Sequence, residues 1–176
     1  SWCYTEQNRF KQTKDILQDL VDIVSKNGCL LLNVGPKADG SICEEEVQML
    51  NEIGEWLDVN GEAIYDSHPW RVQAEGNTEV VEGMFSEEGR KDFDSTDVRF
   101  TCREDCIYII PMQQHGEDVI VKSMGEESKD FHGIITEFSV LGYDQKPVYT
   151  LEADKMIIHA PFVDSDKPVV YRMRLK

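Results

Sequence analysis

The sequence predicts two parts of different class: an α/β fragment, the last βα elements of a (β/α) barrel, over residues 1–68, and an all-β antiparallel sandwich over residues 69–176. Three observations predict it. Residues 25–65, SKNGCLLLNVGPKADGSICEEEVQMLNEIGEWLDVNGEAIY, read as a short strand, a Gly/Pro loop and a long amphipathic helix. Within them, residues 29–34 form an apolar run broken only by Asn33 and bounded by Asn27-Gly28 and Gly35-Pro36, the pattern of a parallel strand covered on both faces. After His68-Pro69-Trp70 the helical period disappears, and short alternating runs separated by Gly, Asp, Asn and Pro take its place.

Each element has a local reason. In residues 10–26, Phe10, Ile16, Leu17, Leu20, Val21, Ile23 and Val24 recur at three- and four-residue steps, so a helix with one buried face is expected, ended at Gly28. The strand at 30–34 follows, then a loop at 36–41 in which Ala38-Asp39-Gly40 is the turn signal. Ser41 is placed to cap the second helix. Glu44, Glu45 and Glu46 then fall in the first turn, where carboxylates favour the helix dipole, and Val47, Leu50, Ile53, Gly54 and Leu57 form the expected buried stripe up to Asn60-Gly61. Downstream, runs at 98–101, 107–112, 119–122, 134–141, 148–151, 156–160 and 169–175 predict strands, and the polar stretch 82–94 predicts a loop. In the first pair, Val98, Phe100, Cys102, Cys106, Tyr108 and Ile110 alternate through the turn and are expected to share the buried face.

Composition narrows the function classes. With 18 basic and 34 acidic residues the net charge is −16, so nucleic acid and anionic membrane surfaces would repel the chain, and a neutral ligand such as a sugar fits better. No apolar segment approaches the roughly 18 residues of a membrane span. The start, Ser1-Trp2-Cys3-Tyr4, lacks the basic and apolar regions of a signal peptide. Five cysteines, an odd number without paired CxxC spacing, indicate neither a disulfide framework nor a metal site. Cys102 and Cys106 flank Arg103-Glu104-Asp105 and either face each other across two strands or are two unpaired small residues. The histidines His68, His115, His132 and His159 show no HxxxH or HExxH spacing, and no phosphate loop or GxSxG elbow is present. Asp39, followed by Gly40, reads as a turn former rather than as an acid of a site.

The segment GCLLLNVGPKADGSI leading into GEWLDVNGEAIY closely resembles the end of the TIM-type catalytic barrel in α-L-fucosidases of glycoside hydrolase family 29, and FTCREDCIYIIPM resembles the small β-sandwich that follows it. SWCYTEQN is similar to the family's SWGYN segment, with Cys3 and Thr5 in place of Gly and Asn. The resemblance implies hydrolysis of terminal α-L-fucosyl bonds with retention, through a glycosyl-aspartate, without metal or organic cofactor. It puts the nucleophile in segments not contained in this chain. It makes Glu6 a candidate acid/base, against the reading of an exposed acid before a helix. Trp2 and Tyr4 become candidate rings for the sugar's apolar face, and Leu30 a candidate wall for the fucose methyl group; packing at the barrel rim and in the barrel core are the competing readings.

The partner implied is a fucosylated glycan bound by the parent enzyme, with a companion barrel fragment or a second copy as a further expectation. The family implies an extracellular, periplasmic or lysosomal setting. A rival class is a non-catalytic carbohydrate-binding or interaction sandwich using exposed rings among Trp70, Phe131, Tyr143, Tyr149 and Phe162.

Overall fold

The structure is a computed structural model that describes residues 3–80, 91–159 and 163–176. Two helices, α1 (Thr13–Ser25) and α2 (Glu44–Asn60), come first, α2 running into a single 3-10 turn at Gly61–Ala63. Among the described residues ten strands follow: β1 (His68–Glu75), β2 (Val98–Arg103), β3 (Cys106–Pro111), β4 (Gln114–His115), β5 (Val119–Val121), β6 (Ile135–Val140), β7 (Val148–Leu151), β8 (Met156–His159), β9 (Asp164–Ser165) and β10 (Tyr171–Leu175). They make a five-stranded antiparallel sheet ordered β1-β2-β3-β10-β6, a three-stranded one ordered β5-β8-β7, and the ribbon β4-β9.

Two apolar clusters lie on opposite faces of the five-stranded sheet. Phe100, Ile109, Met124, Met156, Ile158 and Tyr171 belong to the cluster shared with the three-stranded sheet. On the other face Tyr108, Ile110 and Val170 pack with Leu17 and Val21 of α1 and with Ile53 and Trp56 of α2. β3 is therefore buried at every position. Its unbroken apolar run in sequence goes with two buried faces, not one buried and one wet.

The β2–β3 hairpin corrects the expected face assignment. Its loop has two residues, Glu104 and Asp105, with Glu104 at φ 54°, and the register pairs Arg103 with Cys106 and Cys102 with Ile107. Cross-strand partners share a face. Val98, Phe100 and Cys102 consequently lie with Ile107 and Ile109, while Cys106, Tyr108 and Ile110 face the helices. Cys102 and Cys106 point to opposite sides, and all five cysteines are free thiols.

The run at 29–34 is a second correction, because it is not a strand: these residues have no ladder partner, Leu31 is 86% exposed and Leu32 39%. An extended segment becomes a strand only when neighbours take up its N–H and C=O groups in a ladder, and among the described residues no ladder includes 29–34. The α2 stripe also differs from expectation. Its buried positions are Glu46, Ile53, Trp56 and Asn60, with Met49 and Leu57 half-buried, whereas Val47, Leu50 and Gly54 are exposed. The helix thus turns toward the sheet a face rotated from the apolar one.

Ser41 caps nothing; α2 begins after Cys43, which forms no side-chain cap. Of the polar stretch 82–94, residues 82–90 lie outside the described residues, and Phe93 is buried in the helix-side cluster with the Arg99 guanidinium over its ring, 4.9 Å from the centroid.

Candidate functional site

Of the candidate site residues, Tyr4 lies at the N-terminal end of α2, where the extended segment 29–35 and the loop after it meet the first described residues of the chain. Glu46, in the first turn of α2 and 8% exposed, turns back to accept the Gly35 N–H at 3.0 Å and the Cys43 thiol at 3.4 Å. A carboxylate at this helix position commonly reaches back to a donor N-terminal of the helix. Here it holds the loop. Burial pushes the Cys43 thiol pKa up, so the donor remains protonated at neutral pH.

Gly35 is fixed by a close backbone approach: a Cβ there would lie 2.9 Å from the Tyr4 nitrogen and 3.0 Å from the Cys3 carbonyl carbon. Only glycine lets the two chain segments touch in this way. The contact brings Tyr4, 37% exposed, beside Lys37, whose ammonium lies 5.4 Å from the ring centroid. In the loop, Lys37 N–H donates to Ser41 C=O at 2.7 Å and Gly40 N–H to Lys37 C=O at 2.9 Å. The Asp39 carboxylate accepts from the Ser41 hydroxyl at 2.6 Å and from its N–H at 3.0 Å. These bonds, the hydroxyl first, hold the Asp39 pKa below the ordinary carboxylate value, so it is ionised at neutral pH and unsuited to donate a proton. The sequence reading of Asp39 as a turn former matches this geometry.

Glu6 is exposed and lies in a turn, ahead of α1. Leu30 is half-buried and packs against the helix-side cluster, the placement of a core leucine. Trp2 lies outside the described residues. The structure therefore gathers Tyr4, Gly35, Lys37 and Glu46 at one rim. Glu46 and Lys37 were not singled out by sequence; the signal for Glu46 was its place three residues after the helix cap.

Away from the rim, three of the four histidines make side-chain contacts. His68 Nδ1 lies 3.2 Å from Cys102 Sγ, His115 Nδ1 2.9 Å from Asp164, and His159 sits between Thr150 at 2.7 Å and Asp118 at 3.4 Å. Among the described residues no group of three or more His, Cys, Asp or Glu gathers to hold a metal.

Comparison with known proteins sets this rim in context. Residues 1–62 match the family model described as alpha-L-fucosidase. The tissue alpha-L-fucosidase of Mus musculus is 44% identical over 84 residues, covering 46% of this chain and 19% of that protein. The alpha-L-fucosidase of Dictyostelium discoideum is 44% identical over 70 residues, covering 40% and 15% respectively. In three dimensions the alpha-fucosidase of Thermotoga maritima superposes with a TM-score of 0.72 at 27% identity over 98% of this chain and 37% of that one. A structure of the Thermotoga enzyme in complex with fucose gives 0.73 at 26% identity, over 98% and 37%.

Two helices joined by a segment that contains the Gly-Pro loop, packed on an antiparallel sheet, are thus similar over nearly the whole chain to a portion of solved alpha-fucosidases. Within that likeness, residues 1–62 are similar in sequence to the alpha-L-fucosidase family. The chain spans about a fifth of the length of the curated relatives it matches first, 19% and 18%.

Proposed function

We propose that this chain is the carboxy-terminal portion of a retaining α-L-fucosidase, the last βα elements of the catalytic barrel (residues 1–68) with the β-sandwich (69–176), acting within the parent enzyme on terminal α-L-fucosyl groups of glycans. The observation that carries the reading is the run at 29–34. It has the composition of a strand covered on both faces, yet Leu31 is 86% exposed and the run has no ladder partner among the described residues. Val47 and Leu50 are exposed beside it, at 41% and 37%. Such surface is what a strand and its helix present when neighbouring βα units are to cover them.

In this reading the rim supplies the wall of the fucose subsite, with Tyr4, Leu30 and Trp2 against the sugar's apolar parts and Glu6 as the candidate acid/base. The aspartate nucleophile comes from outside this chain. The 176-residue chain by itself then has no covalent step to perform. It is expected not to hydrolyse an aryl α-L-fucoside. Turnover by the purified chain that disappears in Glu6→Ala would overturn the proposal, because a contaminating full-length enzyme would survive that substitution.

The rival reading, a sandwich that binds glycans through a row of rings, gains no support from exposure. Trp70 and Phe131 are buried, Tyr149 is half-buried against Phe138, and Phe162 lies outside the described residues. Tyr143 alone of the described four is exposed, at 50%.

A further inference from the structure

The exposed ring of Tyr143 does not stand on an open surface. It lines a groove of about 280 Å³ between the C-terminal half of α2 (Glu52, Glu55, Val59, Asn60), the turn after β6 (Gly142, Tyr143) and the segment between β9 and β10 that contains Lys167. Its lining positions on α2 run from Glu52 to Asn60, so at 1.5 Å per residue the middle of the groove lies about 15 Å along the helix from Glu46 at the rim. It shares no lining residue with the rim of Tyr4, Gly35, Lys37 and Glu46.

Three features show that the groove is held in shape. The Trp56 indole N–H donates to the Pro168 carbonyl at 2.9 Å, fixing one wall to α2. The Ser165 hydroxyl accepts the Lys167 N–H and donates to the Lys167 carbonyl, both at 3.1 Å, so the segment bearing Lys167 is closed on itself. Gly142 has φ +81°, and a Cβ there would lie 2.7 Å from Val59 Cγ1. Glycine thus allows the turn and α2 to approach while leaving Val59 46% exposed at the groove wall.

We propose that this groove is a second carbohydrate subsite, taking one neutral sugar ring of a glycan remote from the reacting bond. Its chemistry is of two kinds. Tyr143 and Val59 offer apolar surface for the C–H face of a pyranose, and Glu52, Glu55 and Lys167 offer acceptors and a donor for hydroxyls, Lys167 lying 3.6 Å from Glu52. The volume lies just below that of ligand clefts, which span roughly 300–1,000 Å³, and suits one ring rather than an oligosaccharide. Two carboxylates at the groove on a chain of net charge −16 disfavour an anionic ligand. From the proposed function this inference takes only the ligand class, a neutral glycan.

The test is a titration of the 15N-labelled 176-residue chain with methyl α-L-fucoside and, separately, methyl β-D-galactoside, followed by amide shifts. Saturable shifts confined to residues 52–60, 141–143 and 165–168 are expected for at least one of the two sugars, with Tyr143→Ala weakening that affinity about tenfold at unchanged melting temperature. Absence of saturable shifts there with both sugars, or equal affinity in Tyr143→Ala, would overturn it. Shifts at residues 3–6 and 30–37 report on the catalytic rim instead, so failure at one site is read separately from failure at the other.

Discussion

Ile109 and Ile110 are adjacent, both fully buried, and face opposite clusters. An alternating strand in a two-layer arrangement would tolerate a charge at one of them. Here neither position offers water to a carboxylate, since the three-stranded sheet closes one side and the two helices the other. Ile109→Asp and Ile110→Asp should each lower stability by roughly 3 kcal/mol or more through an unpaired buried charge. Thermal melting of the two variants checks this, and a near-wild-type melting point for Ile110→Asp would mean that the helices do not close that face.

At the scale of elements, the junction between α1 and the five-stranded sheet rests on an ion pair. Arg99 Nε donates to Asp22 Oδ1 at 2.5 Å with both side chains under a tenth exposed, and Lys26 lies 2.7 Å from the other carboxylate oxygen. Arg99 also donates to the carbonyls of Glu75 at 3.2 Å and Val98 at 3.1 Å, and the Gln18 amide donates to the Met112 carbonyl at 3.0 Å. Polar residues on the packed face of a helix hold it at one register along the sheet, where apolar contacts alone would allow sliding. Asp22→Asn leaves the buried Arg99 charge uncompensated and should cost about 3–5 kcal/mol; Arg99→Met leaves Asp22 paired with Lys26 and should cost less, and the double variant should cost less than the sum. A double-mutant cycle in denaturant measures the coupling. Strict additivity would show that the pair contributes nothing to docking α1.

For the whole molecule, the three-layer arrangement makes stability sensitive to alkaline pH. Burial, with the Glu62 charge adding to it, pushes the Tyr108 hydroxyl from the ordinary 10.0 up to about 12. Burial also raises that of Tyr171, which donates to Gln114 Oε1 at 2.7 Å. Tyr108 lies in the helix-side cluster and Tyr171 in the cluster between the sheets. A group whose folded pKa lies above its unfolded value contributes stability that is complete below the unfolded value and is lost as pH rises through the folded one. Stability should therefore hold up to about pH 10 and fall between about pH 10 and 12. Phenolate absorbance followed together with circular dichroism tests this. Ionisation of all six tyrosines before any loss of structure would count against burial of these two hydroxyls.

The division between what could be read early and what could not follows from the range of the interactions involved. Local periodicity was enough for both helices and, within a residue or two, for seven of the strands, because apolar spacing and turn residues act over a few positions. The turn with Asp39 in it was equally legible. Sequence alone did not decide which way α2 faces: both Val47-Leu50-Gly54 and Met49-Ile53-Trp56 make stripes of helical spacing, and only docking on the sheet selects the second. It did not decide the phase of the β2–β3 hairpin, because alternation is the same for a two- or a three-residue loop, and the register fixes which cysteine faces which cluster. Nor could it reveal that β1 begins at His68-Pro69 as an edge strand, where a proline needs no ladder donor. Residues 29–34 carry the composition of a strand, but a strand exists only through hydrogen bonds to neighbours far away in sequence. That is a property tertiary structure alone confers.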